Sequence, residues 1–240
     1  MLRFLAKRVA SILISVWLVI TLTFFLLRAV PGGPFTREKA LPDSVIEQLN
    51  AKYRLDEPVF VQYGHYLKGV VTLDFGPTYQ PGITVNERLA TGFPNSGRVG
   101  LLAIVMILFV GIPAGLVSAF YRYRWPDYTL MFLATLGVAV PAFVIGTLFV
   151  YLFSAKWHIF PSFGLDSPAA YVGPVVTIGA FALSFVARLT RTSVLEVLQQ
   201  DYIRTAYAKG LSSRQVVLKH VLKNALIPVL AYVGPMMAAI

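Results

Sequence analysis

The three histidines, His65, His158 and His220, are the first residues to test for chemistry, because neutral imidazole is a common metal ligand. They are scattered, the first two on one side of the apolar segments and the third on the other, so no shared metal site is expected. With no cysteine there is neither a thiol nucleophile nor a disulfide framework. Hydrolysis inside a membrane would need paired aspartates, a serine with a base, or a zinc motif at depth. The apolar segments carry almost no ionisable groups, and Arg28, at the end of the first, can extend to the interface. A proton- or ion-coupled carrier usually keeps an acidic group at mid-membrane, and none is evident. No GxxxxGK(S/T) phosphate loop is present. Catalytic, cofactor-binding and metal-binding residues are therefore all expected to be none, and energy must come from another chain.

What remains is a segment built for contact, "DYIRTAYAKGLSS" at 201–213. "SVLEVLQQDYIRTAYAK" reads as a helix with Ser193 and Glu196 at capping-box spacing, unless the preceding apolar segment runs straight into it. Gly210 sits where a left-handed residue would stop that helix, and Ser212 with Gln215 caps the next. Leu211, between the caps, has no evident local burial. Ala206 and Ala208 leave a surface into which a partner can press, with Arg204 and Lys209 as a positive rim. A helix lying on anionic lipid explains the charge but not the small residues or the Gly210 break.

The elements that must position this segment are membrane spans. With 57% hydrophobic and 13% charged residues, a soluble domain would carry far too much apolar surface. A span needs roughly 20 apolar residues, and residues 10–30, 99–120, 129–153 and 172–187 fit, the last interrupted by Gly173, Pro174 and Gly179. A fifth run, 226–240, is short of that length, and the natural chain is expected to continue. Pro113, Pro141 and Pro174 are candidate gating kinks, because proline removes a ladder hydrogen bond; Pro174 also suits a first helical turn.

The net charge of +10 does not require nucleic acid. Arg3, Lys7 and Arg8 precede span one, Arg122 and Arg124 follow span two, and Arg188, Arg191, Arg204, Lys209, Arg214, Lys219 and Lys223 follow span four. These segments share one side, while residues 31–97 on the other side mix acids and bases, which makes the N-terminus cytoplasmic and 31–97 and 154–171 external. A cleaved signal peptide is not expected, since "RAVPGGPF" lacks a small-residue cleavage pattern. The expected organisation is 1–30 for the N-terminus and span one, 31–97 external, and 98–240 for spans two to five with a cytoplasmic loop at 188–225. Within 31–97, "PDSVIEQLNAKYRL" reads as one helix. "DEPVFVQYGHYLKGVV" reads as a second from near Pro58, with Phe60, Tyr63, Tyr66 and Leu67 on its apolar side, forming a small lid on the span ends.

The pattern "DYIRTAYAKGLSSRQVVLKHVLKNALIPVL" resembles the cytoplasmic EAA loop of ABC importer permeases. Thr205, Ala206 and Ala208 stand in its small-residue block, Gly210 at its glycine and 226–228 at its closing apolar-proline element. The family's nominal glutamate is replaced by Arg204 and Thr205, as in the peptide-importer branch. "LRFLAKRV", "FFLLRAVPGGPF", "YRLDEPVFVQYGHYLKG", "DFGPTYQ" and "ARLTRTSVLEVL" extend the likeness in order along the chain, which is most similar to the first permease subunit type of oligopeptide and dipeptide importers.

The resemblance implies an all-α membrane protein with the type I importer transmembrane fold, a bundle of six spans of which about four and a half are supplied. It implies an inner-membrane permease, not an enzyme, that moves oligopeptides, with dipeptides, nickel chelates or glycosides as alternative cargo and an ATP-independent channel or scaffold as the alternative outside the family. The implied partners are a second homologous permease, two cytoplasmic ATPases that bind ATP and Mg, an external substrate-binding protein, the peptide substrate and membrane lipid. The coupling residues so implied are Asp201, Ile203, Arg204, Thr205, Ala206, Tyr207, Ala208, Lys209, Gly210, Leu211 and Pro228.

Overall fold

The computed structural model describes residues 1–29, 54–76, 78 and 83–240, and their regular elements are helices. Their contacts divide them into two compact units, Met1–Thr91 and Gly92–Ile240. The helix expected in "PDSVIEQLNAKYRL" lies almost wholly outside the described residues.

In the first unit, α1 (Leu2–Ala29) is a continuous apolar helix with Arg28 in its last turn. Helix α2 (Val59–Thr72) starts immediately after Pro58, as the sequence predicts, and stops at a left-handed Leu73. The aromatic stripe of α2 packs on the last turns of α1. Phe24 lies 5.4 Å from both the Tyr63 and Tyr66 rings, Phe25 lies 5.4 Å from Tyr63, and the Tyr63 hydroxyl meets Thr21 Oγ1 at 2.7 Å. Gln62 is buried and donates from Nε2 to the carbonyls of Leu55 and Glu57, which ties the preceding turn to the helix.

Helix α3 (Val85–Met106) begins well before the predicted start of span two, inside the segment read as external. Its start was legible in "TVNE": Thr84 Oγ1 accepts from the Glu87 N–H at 3.1 Å and the Glu87 carboxylate accepts from the Thr84 N–H at 2.8 Å, a reciprocal cap. A π-helical turn (Ile107–Gly111) joins α3 to α4 (Ile112–Phe120), and Pro113 follows that turn. Proline leaves the carbonyl four residues back without its usual donor, and a widened turn accommodates the loss.

Helices α5 (Trp125–Ala139) and α6 (Ala142–Phe149) meet at Pro141 with a bend of 107°, and a second π-helical stretch (Val150–Lys156) continues α6. After a 3₁₀ turn (Pro168–Tyr171), α7 (Val172–Leu198) runs without a break. The interruption expected at Gly173, Pro174 and Gly179 is absent, because Pro174 falls in the first turn of α7, where it forfeits no ladder bond.

Helix α7 is the axis of the second unit, and its neighbours come in a fixed order. Gly179 faces Met106 and Ile107, Leu183 and Val186 face Gly111, and Ala187 and Thr190 face Gly115, so α3 and α4 run parallel to α7. Asp127 meets Arg191, Gly137 meets Ser184, Gly146 meets Thr177 and Phe149 meets Gly173, so α5 and α6 together descend α7 in the opposite sense. That descent covers residues 191 to 173 of α7, about 27 Å at 1.5 Å per residue. A re-entrant loop would return to the end it left, so the bent pair is one broken crossing. Ala225 packs near Val194 and Met236 near Ala182, which makes the final helix antiparallel to α7 as well.

The fifth apolar run differs from its sequence reading. The helix capped by Ser212 does not end before the span: α9 (Ser213–Val216), a π turn (Val217–Val221) and α10 (Leu222–Ala239) form one helix, Ser213–Ala239, long enough to cross. With α1, the α3–α4 helix, the α5–α6 pair and α7, the described residues supply five crossings. Interfaces are built from Gly, Ala, Ser and Thr while Phe109, Phe132, Phe143 and Leu230 point outward, as expected where lipid removes the apolar driving force and close approach holds helices together.

Candidate functional site

The alternating order of α4 to α10 brings the 121–124 turn, the end of α7, the 199–212 segment and the start of the last helix to one end of the bundle. Here α7 stops at Leu198, Gln200 is extended, and α8 (Asp201–Ala208) begins. The sequence reading of one unbroken helix through 193–209 is therefore corrected. Ser193 is buried inside α7, near its C-terminal end, and caps nothing.

Helix α8 ends as expected, at Gly210 with φ 78°. The Leu211 N–H donates to the Ala206 carbonyl at 3.3 Å and the Gly210 N–H to Tyr207 at 2.9 Å, the paired bonds of a Schellman stop. A Cβ on Gly210 would touch nothing within 4 Å, so conformation alone requires glycine there. Ser212 then closes a full capping box with Gln215.

The faces of α8 are not those expected. Ile203 is 1% exposed and Ala206 5%, and both pack in a cluster with Ala119, Val194, Val216, Val221 and Ala225. Leu211 packs against the same cluster. Ala206 is thus part of the chain's own core and offers no partner surface, and Leu211 does find local burial, because the Schellman turn folds it back over Ala206. The outward face carries Tyr202, Arg204, Thr205, Tyr207, Ala208 and Lys209. Asp201 and Arg204 form an exposed pair at 3.5 Å, and Asn224 Nδ2 donates to the Tyr202 hydroxyl at 3.1 Å, which joins α8 to α10. Pro228 lies inside α10.

Sequence reasoning missed an ion pair at the same end. Asp127, in the first turn of α5, is 3% exposed and accepts from Arg191 Nε at 2.7 Å and Nη2 at 2.8 Å, in a forked pair. It also accepts from the Ser118 hydroxyl and from the Tyr123 N–H at 3.0 Å. The signal was there: Arg191 stands between Ala187 and Val194 on the buried stripe of α7, where an unpaired guanidinium would be costly. No group of three or more potential ligands could hold a metal ion among the described residues.

Residues 111–240 match the family described as the binding-protein-dependent transport system inner membrane component, and residues 1–86 match its N-terminal region. The dipeptide transport system permease protein of Bacillus subtilis (strain 168) is 40% identical over 100% of this chain and 78% of its own length. The oligopeptide transport system permease protein of Escherichia coli (strain K12) is 39% identical over 98% of this chain and 78% of its own length. The glutathione transport system permease protein of Escherichia coli O1:K1 / APEC is 36% identical over 98% and 77%. A helical chain with five crossings among its described residues and a capped basic helix, matched along nearly its whole length to such permeases, belongs to the binding-protein-dependent inner-membrane transport family and is a multi-pass ABC importer permease.

Proposed function

We infer that the chain is one permease subunit of an ATP-driven importer of short peptides, and that α8 is the helix on which a cytoplasmic ATPase docks. The observation that carries the reading is the division of α8 into a buried anchor, Ile203 and Ala206, and an exposed face of Tyr202, Arg204, Thr205, Tyr207, Ala208 and Lys209. A helix serving only as a connector would not need both a Schellman stop and a capping box around an outward basic face. The relatives' names supply the cargo class.

In this reading a second homologous permease completes the path, two ATPases bind ATP and Mg, and an external binding protein delivers the peptide. The end carrying Arg122, Arg124, Arg188, Arg204, Lys209, Arg214, Lys219 and Lys223 is cytoplasmic, since basic loops stay inside. Closure of the ATPases moves α8, and α7 carries that motion into the bundle as an unbroken lever, so the bundle alternates between outward-open and inward-open. The chain supplies no catalytic residue in this scheme. Its part is to hold α8 in register and convert its displacement.

The test is tagged full-length permease purified with its membrane partners and reconstituted in liposomes. Co-purification of an ATPase and peptide uptake that needs ATP and an external binding protein are expected. Uptake that proceeds without ATP would make the chain a channel and remove the reading.

A further inference from the structure

The buried pair between Asp127 and Arg191 is placed where motion must pass. Arg191 lies ten residues before Asp201 on the helix that leads into α8, and the pair fixes α7 to two elements at once. Asp127 belongs to α5, the first half of the broken crossing, and it also holds the Tyr123 N–H and the Ser118 hydroxyl across the turn from α4. Tyr123 is itself left-handed, with φ 62°, a conformation that a non-glycine residue keeps only where its surroundings enforce it. The acid therefore shapes the turn as well as binding the arginine.

The other contacts of α7 with α4 and α5 are apolar or small-residue ones: Leu116 and Ala119 in one cluster with Val194, Ile112 in another with Val186, Gly115 against Ala187 and Thr190, and Gly137 against Ala180 and Ser184. Such contacts in lipid resist separation but offer little direction against sliding. A forked guanidinium–carboxylate pair, with two parallel bonds at 2.7 and 2.8 Å, resists both translation and rotation. It is 4% exposed on the acid and 22% on the arginine, so water does not replace it easily.

We propose that Asp127 and Arg191 are positioning residues for transport: their forked ion pair delivers the displacement of α8 to the α4–α5 turn and to the broken third span. The proposal rests on the permease reading above and adds to it which residues couple the docking helix to the path. Without the fork, α8 and α7 move while α5 slips, and nucleotide is hydrolysed without opening the path.

The experiment uses the whole transporter in liposomes with its binding protein and a peptide, reading ATP hydrolysis and peptide uptake together. Asp127→Asn keeps shape but ends the charge pair, Arg191→Lys keeps the charge but loses the fork, and the exchange Asp127→Arg with Arg191→Asp restores opposite charges. Hydrolysis within about twofold of the parent, with uptake per ATP reduced about tenfold in Asp127→Asn and by less in Arg191→Lys, is expected, as for loss of a coupling free energy between two sites. Partial recovery by the exchange supports it further. A fall of hydrolysis and uptake in proportion, or an Arg191→Lys transporter with the parental ratio, overturns it, including where Asp127→Asn fails to assemble. A parent chain that binds no ATPase removes the permease reading itself, which this ratio does not address.

Discussion

Replacing alanine by tryptophan at two positions of α8, Ala206 and Ala208, separates what the chain needs for itself from what a partner needs. Ala206 is 5% exposed and sits among Val194, Val216, Val221 and Ala225, each 0% exposed. Overpacking a filled core costs about 1–3 kcal/mol, and an indole forced into this cluster belongs at the upper end, about 3 kcal/mol. Ala206→Trp should therefore lower thermal stability in detergent before any partner is added. Ala208 is exposed, so tryptophan there should leave unfolding unchanged. If α8 seats in a groove of an ATPase, the added ring blocks it, and a tenfold loss of retained ATPase corresponds to about 1.4 kcal/mol. Lys209→Gln is the control for a lipid-facing helix, where one basic residue contributes about 1 kcal/mol near an anionic surface. The assay is ATPase retained on tagged permease, beside a melting curve for each variant. An Ala208→Trp protein that keeps its ATPase, with Lys209→Gln losing it, would place α8 on the membrane surface and refute the docking reading.

Gly210→Val should cost about 1–2 kcal/mol from the left-handed backbone alone, since no neighbour crowds the site, and transport should fall while insertion, read by membrane fractionation, survives. A Cβ at Gly115 would lie 2.5 Å from the Ala187 carbonyl and 2.6 Å from Thr190 Cβ, so Gly115→Val should drive α4 from α7 and lower the detergent melting temperature by the equivalent of about 1–3 kcal/mol or more, whereas Gly97→Ala, with nothing within 4 Å, should be neutral or stabilising. Single cysteines at Lys68 and Lys219, in a chain with no other cysteine, should react with an impermeant reagent in intact cells at the first position only; labelling of Lys219 would reverse the topology.

The bundle was legible where one-dimensional signals suffice. Apolar length placed the crossings, Pro58 placed the start of α2, and Gly210 and the Ser212–Gln215 pair placed the two caps that follow α8. What failed was direction. Alanine is compatible with a core or with a contact surface, so Ala206 could be assigned only by its neighbour: Ile203, three residues earlier, must be buried, and residues three apart share a helix face. The break at Gln199 and Gln200 carries no proline or glycine, and its cause is tertiary, the turning of α8 onto Val194 and Ala225. Asp127 escaped because its arginine lies 64 positions away and each charge, taken alone, reads as a residue at a helix end.

The third crossing is broken at Pro141, beyond the half that carries the ion pair. Around α7, burial is concentrated towards its C-terminal end, where Val186, Ala187, Thr190, Ser193 and Val194 are all enclosed. Helix α5 shares that packing through Asp127 and Ala134, whereas α6, beyond Pro141, contributes no buried residue among those described, and Phe143 is 74% exposed. A cavity of about 390 Å³ lies between α6 and the start of α7, lined by Gly146, Phe149, Phe163, Gly173 and Thr177. Open space on one side leaves α6 room to reorient, while Gly146 against Thr177 and Phe149 against Gly173 keep it seated on α7. Pro141 lacks the N–H that would tie it to the Gly137 carbonyl, so the two halves of the crossing are not held in line by the helical ladder. If a partner displaces α8 as proposed, the half of the crossing gripped by Arg191 follows α7, while the half beyond Pro141, which the helical ladder does not hold in line with it, can turn about the proline.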